Sequence, residues 1–261
     1  MNVFRLRRGR SPLLISLPHD GSFIPDELAE GMVPSARTAP DTDWWVSKLY
    51  GPIAEALDAS LIVPSHSRYV IDLNRPPDDC SLYPGQTTTG LCPTVQFSGE
   101  PVYLPGNEPS PEAIQERVQR YWQPYHAALS EEITRLRARH GRMLLWEGHS
   151  IVSNLPYLFD GELPAFNLGT VSGTSCRATT QAALVEALEA QDRFTWVANG
   201  RFKGGYITRT YGRPSDGVEA VQLEMAQSCY MDEGSGTWDS EQAATAVAQV
   251  ALLIRAALSA L

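Results

Sequence analysis

The chain has 261 residues, enough to bury a substantial core within one or two α/β domains. Hydrophobic residues at 43% and charged residues at 20% give an ordinary globular composition, and a net charge of -9 speaks against a broad nucleic-acid surface. An anionic small substrate would need local cationic help. The cysteines at 80, 92, 176 and 229 form no C-x-x-C pair and read as free thiols of a reducing compartment, so a cytoplasmic protein is expected. Arg5, Arg7, Arg8 and Arg10 read as a solvated lead-in. The apolar run after them is too short for a signal peptide or a membrane span.

Residues 13–17, LLISL, have the look of a strand buried on both faces, and His19 is the first polar side chain beyond its end. A loop with Pro25, Gly31, Pro34 and Pro40 leads to Asp41, Thr42 and Asp43. These open a helix with Val46, Leu49, Tyr50, Ile53 and Leu57 at helical spacing, kinked or divided by Pro52. Either aspartate has an ordinary alternative role in capping that helix. Strands are expected at 61–63 and 69–73. The second belongs to the run SRYVIDLNRP (67–76), where Arg68, Asp72, Asn74 and Arg75 look like a pocket wall. Residues 76–110 read as a long loop, the kind that serves as a lid or a binding loop.

Ser110 and Pro111 start a helical stripe running to Gly141, which Pro124 must kink. His126 and His140 fall within it, at the core edge and on the surface. A strand at 143–146 runs into Glu147, Gly148, His149 and Ser150, a loop follows, and a helix spans about 177–191. Strands are expected at 194–198 and 218–225, with the glycine-rich 200–212 read as a turn followed by a strand. A helix from about 239 closes the chain. This alternation argues for a three-layer α/β/α domain with a mixed, mostly parallel sheet.

Two histidines at two strand ends, with carboxylates near both, point to a catalytic metal site. Zinc hydrolases use three protein ligands and keep a fourth position for water, whose pKa falls to about 7. His19 and His149 are the best-placed imidazoles, Asp43 is the preferred carboxylate with Asp41 as the alternative, and Glu224 is the expected general base. A serine hydrolase built on Ser150 is disfavoured, because Val152 replaces the last glycine of G-x-S-x-G and no histidine follows Ser150. A nucleotide-binding module lacks both the G-x-G-x-x-G and the Walker pattern.

Taken together, LLISLPHDG (13–21), DTDWW (41–45), SRYVIDLNRP (67–76), YPGQTTTGL (83–91) and LLWEGHSI (144–151) form an ordered series. It continues with LFDGELPAFNLGT (158–170), NGRFKGGYITRTYG (199–212) and AVQLEMAQSCYMDE (220–233). The series resembles the N-formylglutamate deformylase (amidohydrolase) family over nearly the whole chain. The resemblance implies one domain over 1–261, similar in fold to the zinc carboxypeptidases. It also implies zinc-dependent hydrolysis of N-formyl-L-glutamate in histidine degradation. It supports His19 and His149 as ligands and Glu224 as catalytic carboxylate, with the helix-start aspartate inferred as third ligand. Such a dicarboxylate needs bidentate arginine contacts, for which Arg68, Arg75 and Arg209, with Asn74 assisting, are the expected clamps. The expected partner is thus a small anionic N-acyl amino acid, with neither nucleic acid nor membrane. Glu147 and Ser150 are expected behind the ligands. Family members commonly carry His at positions 45, 206, 210 and 219, held here by Trp45, Tyr206, Thr210 and Glu219. They also carry Asp-Ala where this chain has Glu147-Gly148.

Overall fold

A computed structural model describes residues 2–82 and 88–261. Strands β1 (Phe4–Arg7), β2 (Leu13–Ser16), β3 (Ser60–Pro64), β4 (Met143–Ile151), β5 (Phe166–Gly169), β6 (Trp196–Ala198) and β7 (Val218–Ala226) form one sheet in the order β1-β3-β2-β4-β7-β5-β6. The β3-β2, β2-β4, β4-β7 and β5-β6 pairs are parallel, and β1-β3 and β5-β7 are antiparallel. Helices are α1 (Asp26–Ala29), α2 (Val46–Ala56), α3 (Pro111–Arg117), α4 (Gln123–His140), α5 (Ala178–Glu189), α6 (Tyr206–Tyr211) and α7 (Ser240–Ser259). The two-residue strands β8 (Met231–Asp232) and β9 (Thr237–Trp238) form a hairpin outside the main sheet.

The sheet separates two apolar clusters, which gives the three layers. On one face Leu13, Ile15, Leu144, Trp146, Val221 and Leu223 pack with α2, α5 and α7. On the other, Leu14, Leu145 and Ala220 pack with α4 and Ile207. Because side chains alternate along a strand, the second face also carries Glu147 and His149 of β4 and Gln222 and Glu224 of β7. α7 is, by length and composition, the one helix among the described residues apolar enough to cross a membrane. Its stripe of Ala243, Ala246, Val250, Leu253, Ile254 and Ala257 is buried in the core.

Several elements differ from expectation. The arginine-rich lead-in is an edge strand, β1, with Arg5 and Arg7 outward, a charged edge that discourages further pairing. Residues 69–73 form turns, not a strand. Carbonyl groups here and just beyond find side-chain donors instead of a ladder: Arg117 donates to Val70 O (3.1 Å), His126 to Leu73 O (2.8 Å) and Trp122 to Arg75 O (3.0 Å). Residues 206–211 are helix α6 where a strand was expected. The Asn74 side chain accepts from Ile207 N (2.9 Å) and Glu147 from Thr208 N (3.0 Å), satisfying first-turn donors that a short helix leaves open. β5 is a strand within a stretch read as loop. Pro52 lies inside an unbroken α2, and Pro124 is accommodated by a wide π turn at Val118–Trp122. Residues 83–87 of the YPGQTTTGL motif lie outside the described residues.

His126 is buried and stacked on Trp122, with ring centroids 3.8 Å apart. A carbonyl can only accept, so Nε2 carries the proton and Nδ1 accepts from Tyr211 OH (3.0 Å). Burial pushes its pKa down to about 4. Between the ordinary histidine value and 4 the unfolded chain therefore binds more protons, and this contribution to stability, fully present at neutral pH, is lost as pH falls through that window. We predict that the stability gap between wild type and His126→Gln narrows by about 3 kcal/mol from pH 7 to pH 4. Urea unfolding at both pH values measures it, and a gap independent of pH would contradict the assignment.

Candidate active site

β2 and β4 lie side by side in parallel, so both chains leave the sheet in the same direction. β2 delivers His19 just beyond its end, and β4 carries His149 near its own. The parallel β4–β7 register sets Glu224 directly beside His149 and Gln222 beside Glu147. Asp43 enters from the turn before α2. Its backbone N–H donates to His19 O (3.1 Å), and its Oδ2 accepts from Ser150 N (3.1 Å). The helix-capping alternative does not apply, since Asp20 Oδ1 accepts from Ser47 N (2.7 Å) at the start of α2. Asp41 is turned elsewhere, accepting from Tyr69 OH (2.6 Å) and Phe97 N (2.8 Å).

His19, Asp43 and His149 are buried, and one ligand atom from each lies within 4.8 Å of the others. The His19 Nε2 faces Asp72 Oδ1 (2.6 Å) and the His149 Nε2 faces Glu147 Oε1 (2.8 Å). Both Nδ1 atoms face Asp43 Oδ2, at 3.9 and 3.0 Å. Ligands of a tetrahedral ion with bonds near 2.0–2.1 Å stand about 3.3 Å apart, a spacing that these two distances bracket. Each outer carboxylate holds its ring by the Nε2 proton and leaves the Nδ1 lone pair inward, the support that metal-binding imidazoles receive. Asn74 Nδ2 also lies 3.1 Å from His149 Nε2, but that proton is committed to Glu147.

A bare Nδ1 lone pair opposite a carboxylate oxygen is repulsive unless a cation lies between them. The protein alone answers with a proton. Burial opposes charge on His149, but hydrogen bonds to Asp43 and Glu147 outweigh it and raise its pKa well above the ordinary value. His19 shifts the other way, lowered by burial and by the Arg68 charge against the pull of Asp72. The donor set therefore fits a divalent ion that takes the place of one proton. Glu224 is buried, and burial, opposed by His149, pushes its carboxyl up to about 8.

These residues form the base of a cleft lined further by Arg68, Asn74, Arg75, Phe97, Arg201 and Gln222. Arg68 is committed to Asp72 (2.7 Å), with Nη1 4.0 Å from Asp43. Arg75 is half-buried at the wall, bonded to Thr89 O (2.8 Å). Arg209 is not part of this lining. It lies on α6 with Nε donating to Gly204 O (2.8 Å). Arg201 and Gln222 line the site without having been singled out for it, and Asp72, read as pocket wall, holds His19. For Gln222 the signal was available, as it shares the strand face of Glu224. Ser150 Oγ bonds to Tyr230 OH (2.6 Å), which in turn donates to Trp44 O (2.8 Å), and no histidine touches it.

A sequence profile of N-formylglutamate amidohydrolases matches residues 11–231. The chain belongs to the N-formylglutamate amidohydrolase family. The N-formylglutamate deformylase of Pseudomonas aeruginosa is 49% identical over 231 residues, 88% of this chain and 86% of that protein. The deformylase of Pseudomonas putida is 48% identical over the same shares. The solved N-formylglutamate amidohydrolase from Ralstonia eutropha JMP134 superposes with a TM-score of 0.80 at 25% identity, covering 98% of this chain and 96% of that one. A protein from Agrobacterium tumefaciens, at 19% identity and TM-score 0.74, covers 99% and 96% and shares the fold.

Against the N-formylglutamate amidohydrolase pattern, this chain's departures fall away from the cleft lining. Trp45 is exposed and donates to Gly236 O (3.0 Å), Glu219 pairs with Arg177 and Arg142, and Tyr206 and Thr210 lie on α6. Gly148 has a steric reason, because a Cβ there would lie 2.7 Å from Tyr50 and 2.8 Å from Leu17.

We predict that the purified chain, stripped with a chelator, takes up one divalent ion, and that Asp43→Ala abolishes uptake. Asp72→Asn and Glu147→Gln each weaken it about 10–100-fold, whereas Asp41→Asn changes it little. Competition titration against a chromophoric chelator reads all four. Uptake by Asp43→Ala equal to wild type would refute the ligand set.

Proposed function

We propose that this chain hydrolyses N-formyl-L-glutamate to formate and L-glutamate in one catalytic domain, with zinc held by His19, Asp43 and His149. The observation that carries this reading is the convergence of those three groups with Glu224 at the base of a cleft walled by arginines. The named activity of the two Pseudomonas relatives supports the substrate. The free thiols fit a cytoplasmic setting, and the family resemblance fits a role in histidine degradation.

When bound, the ion supplies a Lewis acid to the formyl oxygen and acidifies water at its open position. Glu224 takes a proton from the attacking water and returns it to the leaving amine, a task suited to a carboxyl raised toward neutrality. Asp72 and Glu147 keep both imidazoles in the tautomer that points Nδ1 inward. Arg68, close to Asp43 and fixed by Asp72, offers positive charge where the formyl oxygen gains negative charge. Arg75 and Asn74 meet a substrate carboxylate at the cleft wall. Ser150 supports Asp43 through its backbone N–H and takes no part as nucleophile.

Steady-state kinetics on N-formyl-L-glutamate, N-formyl-L-aspartate and N-acetyl-L-glutamate, at known metal content, test the assignment. We expect kcat/KM for the first to exceed the others by at least about 10-fold. Equal values would retain only a general N-acyl amino acid hydrolase. Glu224→Gln should lower kcat about 10²–10⁴-fold with metal retained. Arg75→Ala should act chiefly by raising KM, and unchanged kinetics would remove it from the substrate wall.

A further inference from the structure

Gln222 occupies the same face of β7 as Glu224, two residues earlier, which places it about 7 Å away along the strand. It is 4% exposed and lines the cleft. Its Oε1 accepts the backbone N–H of Gly205 at 2.7 Å. A backbone N–H can only donate, so its partner must be the amide oxygen and the bond fixes the carboxamide, with oxygen toward the glycine-rich loop and NH2 away from it. Among the described residues no acceptor is seen for that NH2 group, and the residue lines the cleft. The loop is shaped for this approach. A Cβ on Gly205 would lie 2.2 Å from Asn74 Nδ2, so a larger residue could not bring its N–H between the two amides.

With its oxygen taken by the loop, the carboxamide has its NH2 left for a ligand in the cleft that Gln222 lines. With Glu224 attending the scissile amide, a group one strand repeat away falls near the reach of an extended glutamyl side chain. We propose that Gln222 Nε2 donates to the distal carboxylate of the bound formylamino acid and so selects its length and terminal group. This inference rests on the deformylase reading above. The arginines of the wall supply charge, which acts from many directions; the locked carboxamide supplies a single direction.

The test uses metal-loaded Gln222→Glu and Gln222→Met. Gln222→Glu keeps an acceptor for Gly205 N–H and turns the donor into an anion. Its kcat/KM for N-formyl-L-glutamate should fall about 100-fold, mainly through KM, while N-formyl-L-glutamine, whose terminal NH2 can donate, should fall far less. The glutamate-over-glutamine ratio should thus drop at least about 10-fold. Gln222→Met should lose about 10-fold on N-formyl-L-glutamate and little on N-formyl-L-norvaline, which has no distal polar group. Calorimetric binding of L-glutamate should weaken in both variants. A ratio unmoved in Gln222→Glu, or equal losses on the norvaline compound in Gln222→Met, would reduce Gln222 to a prop for the loop and overturn the proposal. A wild type inactive on N-formyl-L-glutamate would remove the functional reading and this inference with it. An active wild type with an unmoved ratio removes the inference alone.

Discussion

Two buried carboxylates gripping two imidazoles by the same ring nitrogen are the constraint on which the site depends. Asp72 holds His19 and Glu147 holds His149, each at Nε2, so both rings turn Nδ1 toward Asp43. Neither carboxylate stands alone. Asp72 also accepts from Arg68 (2.7 Å) and from Asn74 N (2.8 Å), and Glu147 also accepts from Thr208 N (3.0 Å). Taking one partner from a buried charged pair costs about 3–5 kcal/mol, so these shared bonds are what allow so much charge to stay away from water. The same bonds make the environment directional. Burial and the Arg68 charge lower the pKa of His19, while hydrogen bonds to Asp43 and Glu147 raise that of His149.

The sheet supplies the other fixed quantity. β4 and β7 run parallel in register for nine residues, pairing Glu147 with Gln222 and His149 with Glu224. A one-residue slip would send all four to the opposite face, into the cluster built by Trp146, Val221 and Leu223. The apolar alternation along these strands therefore specifies the chemistry as well as the core.

Much of this was legible in the sequence. Short apolar runs ending in His19 and in Glu147–Ser150 marked strand ends, and strand ends in such sheets are where ligands gather. The face shared by 222 and 224 followed from simple alternation. What the sequence hid has a common cause. Residues 69–73 carry strand-like side chains, but the carbonyls of Val70 and Leu73 are taken by Arg117 and His126, and that of nearby Arg75 by Trp122, all more than forty positions away in sequence. α6 forms because Asn74 and Glu147 receive its first N–H groups, a reason invisible within residues 206–211 themselves. Local propensity lost to bonds made across the fold.

The turn at 67–75 receives side-chain donors from Arg117, Trp122 and His126, which flank or lie in a wide π turn that joins two helices. That turn supplies Asp72, and through it the orientation of His19. The His19 ring is therefore oriented by more than the sheet. It also depends on the bent helical segment at 111–140, so a lesion such as a disrupted Trp122, touching none of the three candidate ligands, would loosen the turn that carries Asp72.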